Sequence, residues 1–175
     1  CNLIADIFSQ IGFKKNEFKI RITNLKIIQG LISNNLKITD PKKIQQISRS
    51  IDKKSRLGIK SVKELLGKGR NDNSGAFTKG CGLSGGQIDE IINFLQINDL
   101  TELKSVLKNP LSLEGIGEIS NLLEQASYGD FFDCIELSMD IQRGLSYYSS
   151  FAIETNIRNL KLKDDKDKTV DLSGI

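Results

Sequence analysis

Apolar positions recur along the start of the chain with two different periods. Leu3, Ile4, Ile7, Phe8 and Ile11 keep the three-to-four spacing of a helix with one apolar face, and Gly12 is placed to end it. FKIRIT, Phe18 to Thr23, alternates apolar with polar residues and predicts a half-buried strand. NLKIIQGLIS then predicts a short helix. Helix, strand and helix within about 35 residues open an α/β or α+β fold.

The texture changes at TDPKK. Asp40 suits an N-cap and Pro41 the first helical position, so a helix is expected to run to Leu57, with Gly58 behind it. SVKELLGKG predicts another short helix closed by glycines, and Gly69 to Gly82, rich in Gly, Asn, Asp and Ser, reads as a loop. In LSGGQIDEIINFLQ, Ser84 and Gln87 have capping-box spacing, and Ile88, Ile91, Ile92 and Leu95 form the face to be buried. Asp99 and Ser112 are the expected N-caps of two more helices. Residues 37–127 therefore read as an all-helical domain inserted between two strand-bearing segments, 1–36 and 128–175. In the last segment, Phe131 to Ser138 and Tyr147 to Leu160 are strand candidates, the second with Phe151, Ile153, Thr155 and Ile157 on one parity. KLKDDKDKTVDL predicts a hairpin with DDKD at its turn. The chain ends soon after the return strand, which reads as a sheet with missing neighbours.

Composition narrows the chemistry. At 175 residues, 38% hydrophobic and 27% charged, the chain reads as an ordinary soluble globular protein of one domain or two small ones. No apolar run approaches the roughly 18 residues of a membrane span. The start, CNLIADIFSQ, has no basic lead and no small-residue cleavage site, so no secretory signal is expected; lacking Met, it reads as a processed chain or a piece of a longer one. Cys1, Cys81 and Cys134 are odd in number, widely spaced and without a CxxC pair. They read as plain thiols in a reducing cytoplasm, not as a disulfide framework or a zinc site. There is no histidine, which excludes a Ser-His-Asp triad, a Cys-His pair and every His-ligated metal. Chemistry here rests on Arg, Lys, Tyr and carboxylates.

The net charge of +3 hides an asymmetry. Residues 40–80 carry eight Lys and three Arg against three Asp and one Glu, a net of +7, and residues 81–127 carry two Lys against seven carboxylates, a net of −5. The basic stretch, with Lys42, Lys43, Lys53, Lys54 and Arg56 at its start, suits contact with a phosphate backbone; it equally suits a solvated helix surface. Phe77 is its one aromatic residue, so base stacking is unsupported and backbone contact to a duplex fits better. GKGRNDNSG lacks the spacing of a phosphate loop, and GCGLSGG matches GxGxxG at Gly80, Gly82 and Gly85 without the strand that motif requires before it.

One stretch remains, RGLSYYSSFAIE, Arg143 to Glu154. Arg143 at a turn, Gly144 for backbone freedom and tyrosines packed at a strand start is one reading. The other is a ligand edge, with Gly144 admitting close approach, Arg143 presenting a cationic fork to a carboxylate or phosphate, and a tyrosine walling a pocket. The residues alone leave both open. RGLSYY after IELSMDIQ, however, resembles the histidyl-tRNA synthetase signature, RGLDYY followed by a strand ending in Phe-Glu. FKIRITNLKIIQGLI is similar to the family's strand and helix IRINNRK-LL-GLL, and SVKELLGKGRNDNSGAFTKGCGLSGGQIDEIINFL to the helical insertion of bacterial members of the α-proteobacterial kind. The resemblance spans nearly the whole chain.

The resemblance implies an α+β fold: part of a class II aminoacyl-tRNA synthetase antiparallel-sheet catalytic domain, with an inserted all-helical domain. It implies a cytoplasmic ligase that activates histidine with ATP, the ATP carrying Mg2+, and transfers it to tRNA(His). No protein-bound metal or membrane is implied. Arg143 matches the arginine between the amino acid carboxylate and the ATP α-phosphate, where a fixed cation stabilises developing charge. Tyr148 matches the tyrosine that contacts the histidine imidazole, and Tyr147 and Leu145 match neighbouring pocket positions. The insertion implies contact with the tRNA acceptor stem, with Lys42, Lys43, Lys53, Lys54 and Arg56 as candidates. Ser146 stands where the signature has Asp, Ser149 and Ser150 where it has Thr-Gly, and Leu25 where it has Arg. The family's other ATP-binding arginines, its Gly-Gly-Arg-Tyr element, its anticodon-binding domain and the helix behind its homodimer have no match here. The chain therefore reads as a central fragment, inactive alone. The other readings are a non-catalytic tRNA-binding module and a histidine-binding regulatory paralogue, against which the insertion argues.

Overall fold

The computed structural model describes residues 1–72, 75–142, 150–158, 161–163 and 169–171. The sheet that organises the fold is built around β1 (Phe18–Asn24), the middle strand in the order β4-β1-β5. Phe18, Ile20 and Ile22 alternate onto one face and are fully buried. β5 (Phe151–Ile157) pairs antiparallel with β1, Phe18 opposite Ile157 and Asn24 opposite Phe151. β4 (Ile135–Leu137) pairs parallel, Ile20 opposite Ile135. The sheet is thus mixed, not the antiparallel sheet expected. A parallel neighbour requires a crossover connection, and the helices between β1 and β4 supply it.

α1 (Asn2–Gln10) leads into β1. Ala5 is buried and Phe8 stacks on Phe18 with ring centroids 5.1 Å apart, but Leu3, Ile7 and Ile11 face outward, so its apolar residues divide between two faces. Asn24 caps α2 (Leu25–Gly30) by accepting the Lys26 N–H, and the chain continues through a π-helical turn, Leu31–Asn35.

Asp40 caps α3 (Pro41–Ile51) with Pro41 in its first turn, as its sequence dictates. The helix stops at Ile51 and not at Leu57. α4 (Lys54–Leu66) follows and is itself broken at Gly58, whose φ of +75° glycine adopts without a Cβ penalty. A straight helix through both would hold Ile47 and Val62 roughly 22 Å apart. Broken, the chain sends Ile47, Ile51, Val62 and Leu66 into one core. Gly69 to Gly82 contains a hairpin where a loop was expected: β2 (Gly69–Asn71) pairs with β3 (Phe77–Lys79). Its side chains are largely exposed, so it carries no apolar alternation to betray it.

α5 (Gly85–Phe94) opens with the full Ser84–Gln87 capping box and buries Ile91 and Ile92. α6 (Leu100–Val106) starts at Asp99, whose carboxylate accepts from Thr101 and Glu102 N–H. α7 (Pro110–Ala126) is capped by Asn109, three residues before the expected Ser112. Pro110 fixes the first turn, and Ser112 is instead buried, its hydroxyl donating to the Ile27 carbonyl at 3.0 Å. α7 packs closely on α2: a Cβ on Gly30 would stand 2.2 Å from Ser112 Oγ, and one on Gly115 2.9 Å from Ile27 Cγ1. Residues 37–127 are therefore not all-helical, and their last helix lies against α2 of the first segment.

A 3-10 turn, Phe132–Cys134, shortens the expected Phe131–Ser138 strand to β4. In β5 the buried side chain is Ala152, while Ile153, on the parity read as apolar, is 41% exposed. β6 (Lys161–Lys163) and β7 (Thr169–Asp171) pair as the expected hairpin, whose turn lies outside the described residues. Among the described residues no helix is long and apolar enough to cross a membrane.

Gly30→Ala should lower the unfolding free energy by about 2 kcal/mol, because the new Cβ overlaps the buried Ser112 hydroxyl, the Asn109 oxygen that caps α7 and the Ser112 backbone nitrogen, so the crossing and the cap must both give way. Gly117→Ala, in the same crossing helix but with nothing within 4 Å of the new Cβ, should be neutral or stabilise by up to about 1 kcal/mol. Urea midpoints of the two variants check this; equal midpoints would remove the close crossing.

Candidate functional site

The signature residues Arg143, Leu145, Ser146, Tyr147 and Tyr148 lie outside the described residues. The chain on either side of them is described, and both sides attach to the same end of β1. Ahead of them, the Ser138 N–H donates to the Ile22 carbonyl at 2.9 Å. Behind them, the Ser150 carbonyl accepts the Leu25 N–H at 2.7 Å. Met139, Ile141 and Gln142 are buried between.

Two polar clusters reinforce these attachments. In the first, Arg21 projects from β1 and donates to Ser138 Oγ and Asp140 Oδ1, each at 2.5 Å. Lys54 Nζ, from the start of α4, reaches Asp140 Oδ2 at 3.0 Å, and Glu136 stands 3.6 Å from Arg21 Nε. Burial works against the charge of Asp140, but the Ser138 hydroxyl, Arg21 and Lys54 outweigh it and hold its carboxyl below the ordinary range.

The second cluster centres on Glu118 of α7. Its Oε2 accepts from Asn24 Nδ2 and from the Ser150 hydroxyl, both at 2.6 Å, and its Oε1 accepts from Lys26 Nζ at 2.5 Å. One carboxylate thus joins the end of β1, the start of α2 and the residue that precedes β5. The Lys26 ammonium, then the Ser150 hydroxyl, hold its pKa down to about 2, against the opposing effect of burial. Lys26 also pairs with Glu114 at 2.8 Å, and the two carboxylates raise its own pKa.

The five basic residues do not form one group. Lys42 and Lys43 sit at the start of α3, where Lys42 also lines an open cavity of about 460 Å³ with Gln29, Ser33, Pro41, Ile44, Gln45 and Leu111. Lys53, Lys54 and Arg56 lie past its other end, roughly 16 Å further along the axis. Lys54 is tied to Asp140, whereas Arg56 is exposed. Among the described residues no three His, Cys, Asp or Glu side chains gather as a metal site, and the three cysteines are free. Burial pushes the thiols of Cys81 and Cys134 up.

No family model matches the chain. It is 51% identical over 177 residues to the histidine–tRNA ligase of Pelagibacter ubique (strain HTCC1062), a match that covers 100% of this chain and 37% of that protein. Along its whole length the chain is similar to a histidine–tRNA ligase. It spans about 37% of the length of this curated relative. The crystal structure of histidyl-tRNA synthetase from Nostoc sp. PCC 7120 superposes with a TM-score of 0.72 at 24% identity, over 89% of this chain and 35% of that one. A Bacillus halodurans protein described as an ATP phosphoribosyltransferase regulatory subunit/histidyl-tRNA synthetase gives 0.68 at 15% identity, over 92% of this chain and 38% of that one. At these identities the two structures speak to the fold, which is a mixed α/β arrangement of helices and small sheets.

Sequence reading did not single out Glu118, Arg21 or Asp140. A charged residue between Ile20 and Ile22 on a strand, and a Glu between Gly117 and Ile119 on a helix, are ordinary patterns until tertiary contacts select them.

The Glu118 pKa gives a signed expectation. A carboxyl depressed from the ordinary 4.5 to about 2 contributes stability that is present above pH 4.5 and is lost as pH falls toward 2. Glu118→Gln should therefore be less stable than the parent at pH 7, and that gap should close as pH falls from about 5 to about 2. Urea midpoints across this window decide it; a constant gap would show that charge at Glu118 adds nothing.

Proposed function

We propose that these residues form part of a histidine–tRNA ligase, contributing the arginine-and-tyrosine side of the aminoacylation site and a segment directed at tRNA. The observation that carries the reading is the 51% identity to the Pelagibacter ubique ligase over the full chain. On this reading Arg143 lies between the histidine carboxylate and the ATP α-phosphate. The carboxylate oxygen attacks phosphorus, pyrophosphate leaves, and the guanidinium stabilises the charge that develops. Tyr148 contacts the imidazole, with Tyr147 and Leu145 as pocket neighbours. Magnesium is the ion ATP carries, a part of the substrate. Histidyl-adenylate then passes its acyl group to the 3′ end of tRNA(His), and AMP leaves.

In the same reading residues 37–127 are the unit inserted into a class II catalytic domain, with α7 as its seat on α2. Lys42, Lys43, Lys53 and Arg56 face phosphates of the acceptor stem. Lys54 contributes least of the five, because Asp140 already shares its charge. The parent is a cytoplasmic homodimer. Asp140, which pairs with Arg21 of the sheet and with Lys54 of the basic segment, keeps the two regions in electrostatic contact.

The test is a graft: these 175 residues replace the matching segment of the Pelagibacter ubique ligase, and histidine-dependent ATP–pyrophosphate exchange is measured. The graft should be active, and Arg143→Ala should cost about 3 kcal/mol of transition-state stabilisation, the scale of one lost charge-stabilising donor. tRNA affinity should be unchanged in that variant. An inactive graft that still binds tRNA would favour the binding-module reading. Lys42→Ala, Lys43→Ala and Arg56→Ala together should weaken tRNA binding and lower its salt dependence, whereas Lys54→Ala should change neither appreciably.

A further inference from the structure

Glu118 has more partners than an ion pair with Lys26 requires. If its role were to pair charges across the α2–α7 contact, Lys26 at 2.5 Å would suffice. The carboxylate instead spends its other oxygen on two neutral donors, Asn24 Nδ2 and Ser150 Oγ, both at 2.6 Å. Asn24 is fully buried and uses its own side-chain oxygen to cap α2, while its amide also reaches Ser150 Oγ at 3.2 Å. Ser150 is held a third way, through its carbonyl on the Leu25 N–H at 2.7 Å. The residue that directly follows segment 143–149 is therefore fixed from three directions, and Glu118 is the element of that fixation contributed by α7. The other flank of the segment is set in a like manner, with Gln142 buried and its amide donating to the Met139 carbonyl at 3.0 Å.

We infer that Glu118 is a positioning residue for segment 143–149: it holds the Ser150 hydroxyl, and so the chain end that leads to Tyr148 and Arg143, to the β1–α2 junction. The inference rests on the ligase reading for its consequence in catalysis, not for the tether itself. Glu118 touches no reacting atom; it acts through Ser150. Displacing a substrate-positioning segment by an ångström costs on the order of a hundredfold in rate, so a partly loosened tether should cost about tenfold. Because the loss is one of placement, it belongs in kcat more than in KM.

Two measurements test this separately. In the graft, Glu118→Gln and Ser150→Ala should each lower the kcat of ATP–pyrophosphate exchange about tenfold, and the double variant should be no worse than either, as expected of two groups acting through one contact. Val62→Ala destabilises the fold by truncating a buried side chain of α4 that makes none of the Ser150 contacts, and should keep the parental kcat. In the 175-residue chain, hydrogen exchange of the Leu25 amide, which the Ser150 carbonyl accepts, should accelerate about tenfold in Glu118→Gln and Ser150→Ala but not in Val62→Ala, since the tether sets the local opening free energy. Unchanged Leu25 exchange in folded Glu118→Gln overturns the tether. Parental kcat in both variants of an active graft overturns the positioning role. Loss of kcat that follows thermal stability across all three variants, Val62→Ala included, also overturns it. An inactive parental graft sinks the ligase reading, and the Leu25 exchange rates then decide the tether alone.

Discussion

The crossing of α2 and α7 is set by two positions where a side chain is forbidden. At Gly30 and Gly115 the helices come so near that a methyl group would overlap Ser112 Oγ or Ile27 Cγ1. That approach brings the Ser112 hydroxyl within reach of the Ile27 carbonyl and places Glu118, nearly two turns further along α7, over the junction of β1 and α2. A wider crossing would leave Asn24, Lys26 and Ser150 without their shared acceptor. Burying that many polar groups without partners costs more than the packing of a methyl group returns.

Around this crossing the charges fall into a simple order. Cations on β1 and α2, Arg21 and Lys26, face carboxylates that come from later in the chain, Asp140 and Glu118. Each carboxylate has at least one hydroxyl or amide donor besides its cation, which satisfies lone pairs that a bare ion pair would leave exposed to a low dielectric. Asp140 reaches in two directions, to the sheet through Arg21 and to the basic segment through Lys54.

Local signals made much of the fold legible. Asp40 with Pro41, Ser84 with Gln87, and Asp99 announce helix starts because a cap is chemistry between residues two or three apart. The alternation of FKIRIT announces β1 because one of its faces is buried. What escaped reading depends on distant partners. The break after Ile51 serves a core formed with α4, the hairpin at Gly69–Lys79 is held by backbone bonds with no apolar pattern, and β4 is parallel only because helices intervene. The candidate site divides the same way. RGLSYY stands out by its residues, while Glu118 and Asp140, which fix its two flanks, are visible only once the chain has folded.

The parallel pairing of β1 with β4 also orders events in time. Ile20 meets Ile135 only after the whole helical middle of the chain has been made and folded back, whereas the caps and helices within that middle close over short loops. During synthesis β1 therefore has no partner for either edge until the residues beyond α7 have been made, and its two neighbours lie close together in sequence, on either side of residues 143–149. A chain stalled or cut before Ser150 lacks β5 and leaves one edge of β1 open, a template for association with other chains and not a smaller version of the same domain.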